Sequence, residues 1–399
     1  MQAVVRDSAG VVIQEFPAEA TRTPAPFRLA SQPEVSIGLL EGAPEYLWTR
    51  PTAGVRLADG GFAVAETSPA EIRVYDTSGA FVRRIGRSGD GPGEFRTPSA
   101  MTVLPGDTLV VWDARLQRLT WVTSEGVLVR DAQVVQPGGI QAIRRVTPSS
   151  GGTTFVLGSA VPRGDLENRG PVRESWSVIP MDPSGQADAS LGEVPGSERD
   201  VAVQRTGPGV DGIVSIQVRG RWWWGEGFAW PSAEGVWTAD RLALEARHFT
   251  TRSGLEQVVR VARQPRAFTP ELIDSIHEVE LSRADDPDLR RAIQDDFVGR
   301  EYPATVPPLE AVFADAAGRL WLGLLEPPPG RIPSQLLPSV RTWLLFEAEG
   351  SDLPTAVLGT LDLPPASHPL WADGTGVLLL RADAEFDVAY VEWYPFEAH

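Results

Sequence analysis

The sequence predicts an all-β chain folded as a six-bladed β-propeller, and three observations predict it. First, six short turns recur, each between two apolar, β-branched runs. They are Leu57-Ala-Asp-Gly-Gly-Phe62, Leu104-Pro-Gly-Asp-Thr-Leu109, Thr147-Pro-Ser-Ser-Gly-Gly152, Pro231-Ser-Ala-Glu-Gly-Val236, Asp315-Ala-Ala-Gly-Arg-Leu320 and Ala372-Asp-Gly-Thr-Gly-Val377. Gly and Asp supply the positive φ angles and local hydrogen bonds of tight hairpins. Second, another turn series is interleaved with the first: Asp76-Thr-Ser-Gly79, Thr123-Ser-Glu-Gly126, Asp182-Pro-Ser-Gly185, Thr251-Arg-Ser-Gly254 and Glu347-Ala-Glu-Gly350. A propeller blade is a four-stranded meander, A to D from the channel outward, so the two series read as A–B and C–D hairpins. Third, the two ends of the chain each hold part of one blade.

The elements follow in order. Residues 3–15 read as a hairpin on the rim. Residues 27–38, Phe27-Arg-Leu-Ala through Val35-Ser-Ile-Gly38, resemble the outer strand Phe81-Val-Arg-Arg-Ile-Gly86. After the sixth A–B turn come Leu378-Leu-Leu-Arg381 and Val388-Ala-Tyr-Val-Glu-Trp393 as strands B and C, and no D strand follows. The N-terminal strand is therefore expected to complete the last blade and close the ring, which removes open edges. As one propeller domain over 1–399, the blades fall at about 50–87, 98–136, 139–200, 225–268, 305–365, and 366–398 plus 27–38. Blade 3 carries an insertion at 160–172. Residues 269–300 break the β pattern. Thr269-Pro270-Glu271 is an N-cap, an N1 proline and an acidic first-turn residue, and Leu272, Ile276 and Val279 follow at helical spacing. Asp286-Pro287-Asp288 repeats the start, and Leu289, Ile293 and Phe297 follow it. A helical hairpin is expected there. Glu326-Pro-Pro-Pro-Gly-Arg-Ile-Pro333 is a long B–C loop of polyproline character.

Composition narrows the function classes. A formal net charge of −17 repels phosphate backbones, so no nucleic-acid partner is expected. The chain contains no Lys, and Asn168 is its only Asn, the depletion a GC-rich genome produces. With no Cys, disulfides, thiolate catalysis and thiolate zinc sites are excluded. No run is long enough for a transmembrane helix. Met1-Gln-Ala-Val-Val-Arg6 lacks the apolar core of a signal peptide. A periplasmic or extracellular location presumes a removed leader; a cytoplasmic one stays open.

One stretch carries a family resemblance. Gly86-Arg-Ser-Gly-Asp-Gly-Pro-Gly-Glu-Phe95, Pro98, Val110-Val-Trp-Asp113 and Arg118-Leu-Thr-Trp-Val122 resemble NHL repeats, over about 55–130. The chain is similar in this to bacterial extracytoplasmic six-bladed propellers of the NHL type, many without an assigned function. The resemblance implies that the Gly-rich loop and the Asp are framework residues.

The candidate site is an acidic residue recurring at the end of strand B: Glu66, Asp113, Asp240, Glu326 and Asp383. Arginines recur beside it: Arg96, Arg115, Arg118, Arg241 and Arg381. Equivalent positions ring one mouth of the channel. Hard cations take several oxygen ligands, so such a ring could hold calcium; no other cofactor is expected. Alternatively each carboxylate caps its own turn. The arginines read either as a carboxylate or phosphate clamp or as partners in interblade salt bridges. Arg221-Trp222-Trp223-Trp224 cannot all face one side of a strand. Some of these rings are expected to pack between blades, and another to offer a platform for a partner or a sugar. His248, His277, His368 and His399 share no motif. The leading reading is a binding or scaffold propeller, an accessory subunit of an envelope assembly, presenting an elaborated loop face with a helical lid to a protein or small ligand. The alternative is a metal-dependent hydrolase or lyase acting on a small carbohydrate-like or lactone substrate, with Asp113, Asp240 and Asp383 as ligands or acid and base.

Overall fold

A computed structural model describes residues 3–398 except 141, 160–169, 207–212, 221–222, 283, 285, 299, 326–339, 348–355 and 384–387; of 170, 171, 200–206, 213–220 and 296 it describes the backbone alone. The chain forms the predicted six-bladed propeller. Blade 1 consists of Pro51–Arg56, Phe62–Thr67, Ala70–Tyr75 and Phe81–Ile85, and blade 2 of Pro98–Leu104, Thr108–Asp113, Arg118–Thr123 and Leu128–Gln133. Blade 3 has five strands: Ala142–Pro148, Thr154–Ser159, Gly170–Met181, Gly192–Thr206 and Ile213–Gly220. Blade 4 begins with Gly227–Pro231, Gly235–Asp240, Glu245–Thr250 and Gly254–Ala262. Blade 5 is Leu309–Ala314, Arg319–Leu324, Thr342–Glu347 and Val357–Asp362. Blade 6 is Ser367–Ala372, Gly376–Ala382 and Ala389–Ala398, completed from the N-terminus.

All six A–B turns fall between paired antiparallel strands. The C–D turns do the same in blades 1 to 4; residues 348–350 of the fifth lie outside the described residues. Strand B is sandwiched between neighbouring blades, so it reads as continuous apolar sequence, as in Arg319–Leu324, buried throughout. Six apolar clusters fill the six gaps between neighbouring blades. The gap between blades 6 and 1 closes the ring, and Val35 and Ile37, 5% and 1% exposed, belong to it.

The N-terminal segment does more than complete blade 6. Val4–Ser8 and Val11–Pro17 form the expected hairpin, and its second strand pairs in parallel with the D strand of blade 4, making a six-stranded sheet. Gln14 and Gln257 join their side chains in that buried seam, at 2.7 Å. The chain then crosses blade 5, where the Ala25 N–H donates to the Thr360 carbonyl and the Thr360 N–H to that of Thr23. Phe27–Leu29 and Val35–Ile37 finally pair with strand C of blade 6. One segment thus straps the outer edges of three consecutive blades. Phe16 and Ala20 enter the core between blades 4 and 5, and Phe27 and Leu29 pack on the core between 5 and 6.

The helical hairpin lies between blades 4 and 5 as α1, Pro270–Leu281, and α2, Pro287–Phe297. The Thr269 hydroxyl accepts from the Leu272 N–H, and Asp286 Oδ1 accepts from the N–H groups of Asp288 and Leu289. Its stem is a two-stranded pair, Arg266–Ala267 with Thr305–Val306. α1 buries Leu272 and Ile276, together with Glu280, which takes Arg300 as its counterion at 2.8 Å. Val279 is half-buried, and α2 leaves Leu289 exposed.

Candidate functional site

Strand B in each blade runs toward the face that also receives the D–A connections, so its last residue points at the B–C loops. In blade 2 that residue is Asp113, fully buried. Its Oδ2 accepts from the N–H groups of Arg96 and Thr97, and its Oδ1 from those of Arg115 and Leu116. Glu66 repeats the pattern in blade 1. It accepts from the N–H groups of Thr49 and Arg50 before strand A, and of Thr67 and Ser68 in the B–C turn. Each carboxylate ties the entry of its blade to its own turn, with four backbone donors satisfied by one side chain.

Asp240 is held differently. Its Oδ1 accepts from the Leu242 N–H and from Arg173 Nη2 of blade 3, at 2.7 Å. Asp383 and Arg381 line a cleft of about 1030 Å³ between blades 5 and 6, bordered by the N-terminal segment. Glu326 lies outside the described residues. Among the described residues no group of three or more His, Asp or Glu side chains is arranged to hold a metal ion.

The arginines next to these positions have separate partners. Arg96 forks onto Asp90, both exposed at the rim. Arg118 donates to the carbonyls of Asp90, Gly91 and Glu94 and so shapes the Gly-Pro-Gly-Glu-Phe loop. Arg241 pairs with Glu310 at 2.9 Å, and Arg381 forks onto the buried Glu392. Arg115 is exposed. Of the three tryptophans, Trp222 lies outside the described residues. Trp223, at a φ of 69°, packs edge-on against Phe268, with ring centres 5.5 Å apart, and the Trp224 indole N–H donates to the Glu301 carbonyl. Both brace the root of the helical hairpin.

Sequence reasoning missed a cluster spanning blades 3 to 5 on this same face. Arg144 forks onto Glu174, which also accepts from the Trp176 indole and has Arg199 3.5 Å away. Glu226 takes the Ser197 hydroxyl at 2.7 Å and has Arg145 at 3.8 Å. Arg173 lies so close over Gly225 that a Cβ there would meet its Nη1 at 0.9 Å, so any side chain at this position would displace the guanidinium. Burial pushes the Glu310 carboxyl above its ordinary range, Arg241 opposes this, and Glu226 adds to it. Arg144 and Glu310 are extra residues at β-bulges in strand A, a device that re-aims a side chain. The sequence signals were present: Arg144-Arg145, and Glu310 inside the apolar Leu309–Ala314, are charges on inner strands.

A second missed arrangement looks like catalytic machinery. Ser232 Oγ lies 2.8 Å from His248 Nε2, and Glu256 is 4.0 Å from His248 Nδ1. Ser232 and His248 are 5% and 6% exposed, His248 stacks on Trp237, and the Gly235 N–H donates to Ser232 Oγ. Burial lowers the His248 pKa to about 4. The group is a clip inside an A–B turn, closed to substrate. His277 stacks on Phe297 within the helical hairpin, and its Nε2 meets the Tyr302 hydroxyl at 2.9 Å. His368 sits on the inner strand of blade 6, its ring centre 6.4 Å from that of Trp230 in blade 4. His399 lies outside the described residues.

No family model matches the chain, and no curated protein matches it. Solved structures of similar shape include a protein described as exported, from Bacteroides fragilis, at 10% identity and a TM-score of 0.49, covering 97% of this chain and 99% of that one. Another is the PQQ-bound aldose sugar dehydrogenase of Streptomyces coelicolor, at 12% identity and a TM-score of 0.42, covering 94% and 100%. A third is a catalytically inactive virginiamycin B lyase from Staphylococcus aureus with quinupristin, at 11% and 0.39, covering 88% and 82%. Likeness at this level says nothing about activity. Among the described residues no helix is long and apolar enough to cross a membrane.

Proposed function

We propose that this is an extracytoplasmic binding or scaffold propeller of the NHL type, which presents its B–C face and helical hairpin to a protein partner. The observation that carries the reading is the saturation of Asp113 and Glu66. With four backbone N–H donors each, these carboxylates serve as framework and have little capacity left to ligate a cation. The arginines beside them are likewise committed to Asp90, Glu310 and Glu392. The extracytoplasmic and NHL parts rest on the resemblance of residues 86–122, whose Arg118 holds the Gly-rich loop as a framework residue would.

Calorimetric titration with calcium, paired with metal analysis of the purified protein, tests this against the hydrolase or lyase alternative. The scaffold reading expects no stoichiometric ion and the same melting temperature with calcium or chelator. One tightly held ion per chain that is lost in Asp113→Ala and Asp383→Ala would overturn it. Fractionation of cells expressing the native gene tests the location.

A further inference from the structure

A pocket of about 160 Å³ opens at the root of the helical hairpin, between the B–C turn of blade 4 and the returning stem. Its walls are mixed: Leu244, Val261, Val306, Pro307 and Leu325 form an apolar side, and Gln264, Arg266 and Thr305 add polar groups. Arg263 stands among them, half-buried. Among the described residues its side chain has no hydrogen-bond or ion-pair partner.

That is unusual for this molecule. The chain carries 53 acidic against 36 basic residues, and the half-buried arginines on this face, Arg144, Arg173, Arg199, Arg241 and Arg381, each have a carboxylate. A guanidinium partly withdrawn from water beside apolar walls is costly unless an anion meets it. The Arg263 guanidinium offers a planar fork that matches a carboxylate, and the apolar side formed by Leu244, Val261, Val306 and Leu325 favours a ligand with a hydrocarbon body over a fully hydrated phosphate. The volume sets the rest of the ligand. An apolar cavity of about 150 Å³ accommodates a benzene ring, so the body is a single ring or a chain of about six carbons.

We propose that this pocket binds a small monocarboxylate with an apolar body, its carboxylate on Arg263 and its hydrocarbon against Leu244, Val261, Val306 and Leu325. The proposal goes beyond the partner-binding reading and does not depend on it.

Calorimetric titration of the full chain with benzoate and with hexanoate tests it, alongside benzyl alcohol and inorganic phosphate. Benzoate or hexanoate is expected to bind once per chain, and Arg263→Gln to weaken binding about tenfold or more, which is about 1.4 kcal/mol. Arg263→Lys should retain part of the affinity, and benzyl alcohol should bind about as weakly as benzoate does to Arg263→Gln. Leu242→Trp, at an exposed residue on the pocket wall, should block entry. Melting curves matching the parent establish that the variants are folded. The proposal is overturned by no binding of either acid up to about 10 mM, by undiminished binding to Arg263→Gln, or by phosphate competing as well as benzoate.

Discussion

Blades 1 and 2 differ from blade 4 in what they do with a carboxylate at the end of strand B. In blades 1 and 2, Glu66 and Asp113 are spent on backbone N–H groups of their own blade. In blade 4, Asp240 keeps one turn contact and reaches across to Arg173 of blade 3. The first arc carries no insertion, and its strand-A bulges hold the uncharged Thr52 and Ser99. The second carries the bulged charges Arg144 and Glu310, a fifth strand and the helical hairpin. A side chain that closes its own blade leaves the mouth unchanged. One that bridges blades makes the mouth depend on how neighbouring blades sit. A carboxylate that closes its own blade therefore marks framework, and one that bridges blades ties the mouth to the packing of its neighbours.

The largest expected effect removes what both arcs share, ring closure. Deleting residues 1–38 exposes the outer edges of blades 4, 5 and 6 and strips Phe16, Ala20, Val35 and Ile37 from two interblade cores. Phe16, Val35 and Ile37 each contribute about 1.5–3 kcal/mol and Ala20 about 0.8 kcal/mol, and together they rival the net stability of a typical domain, about 5–15 kcal/mol. The truncated chain should lose its cooperative thermal transition. A truncated protein that melts like the parent would mean the ring closes without its strap.

The comparison itself is broken or upheld by a pair of substitutions. Asp113→Ala leaves four backbone donors without an acceptor in a buried turn, at about 1–3 kcal/mol for each donor that water cannot reach. A loss above about 3 kcal/mol is expected in urea unfolding. Asp240→Ala frees one N–H and one partly exposed arginine, so about 1 kcal/mol is expected. Equal losses would show that the two arcs use their carboxylates alike.

The turns, the N-terminal clasp and both helix N-caps were legible in the sequence because each depends on a few adjacent residues: Gly60 and Gly318 at positive φ, Thr269 and Asp286 ahead of proline. The parallel docking of Val11–Pro17 on blade 4 was not, since nothing local in Val-Val-Ile-Gln-Glu-Phe-Pro names its partner strand. The recurring acidic residue was legible as a pattern. Its use was not, because Asp113 and Asp240 follow similar apolar runs, and what separates them is the neighbouring blade, from which Arg173 reaches Asp240. Bulges at Arg144 and Glu310 depend on strand register, which single residues do not encode.

Acid should discriminate the two arcs next. All four histidines lie after residue 240, and none is in blades 1 and 2. Burial lowers the pKa of His248 and His368 from the ordinary 6.5 to about 4. The folded protein thus binds these protons less readily than the unfolded chain. The stabilising contribution is complete above about pH 6.5 and is lost as pH falls toward 4. Hydrogen exchange at about pH 5 should show blades 4 and 6 opening before blades 1 and 2. His248→Gln should flatten the pH dependence in blade 4, and an unchanged profile would assign the acid response to carboxylates.

The smallest effect concerns the helical hairpin, and it tests whether the elaborated arc can change without cost to the framework. Asp286 caps α2 through two N–H groups, and α2 leaves Leu289 exposed and Ile293 and Phe297 only half-buried. Asp286→Ala removes a cap contributing about 1 kcal/mol to helix stability. That loss is local, because among the described residues α2 contributes no side chain to the six interblade cores. Exchange of the α2 amides should quicken severalfold while the global melting temperature stays within about 1 °C of the parent. A drop of several degrees would tie the hairpin to the ring, and its freedom to adapt to a partner would then be bounded by the stability of the propeller.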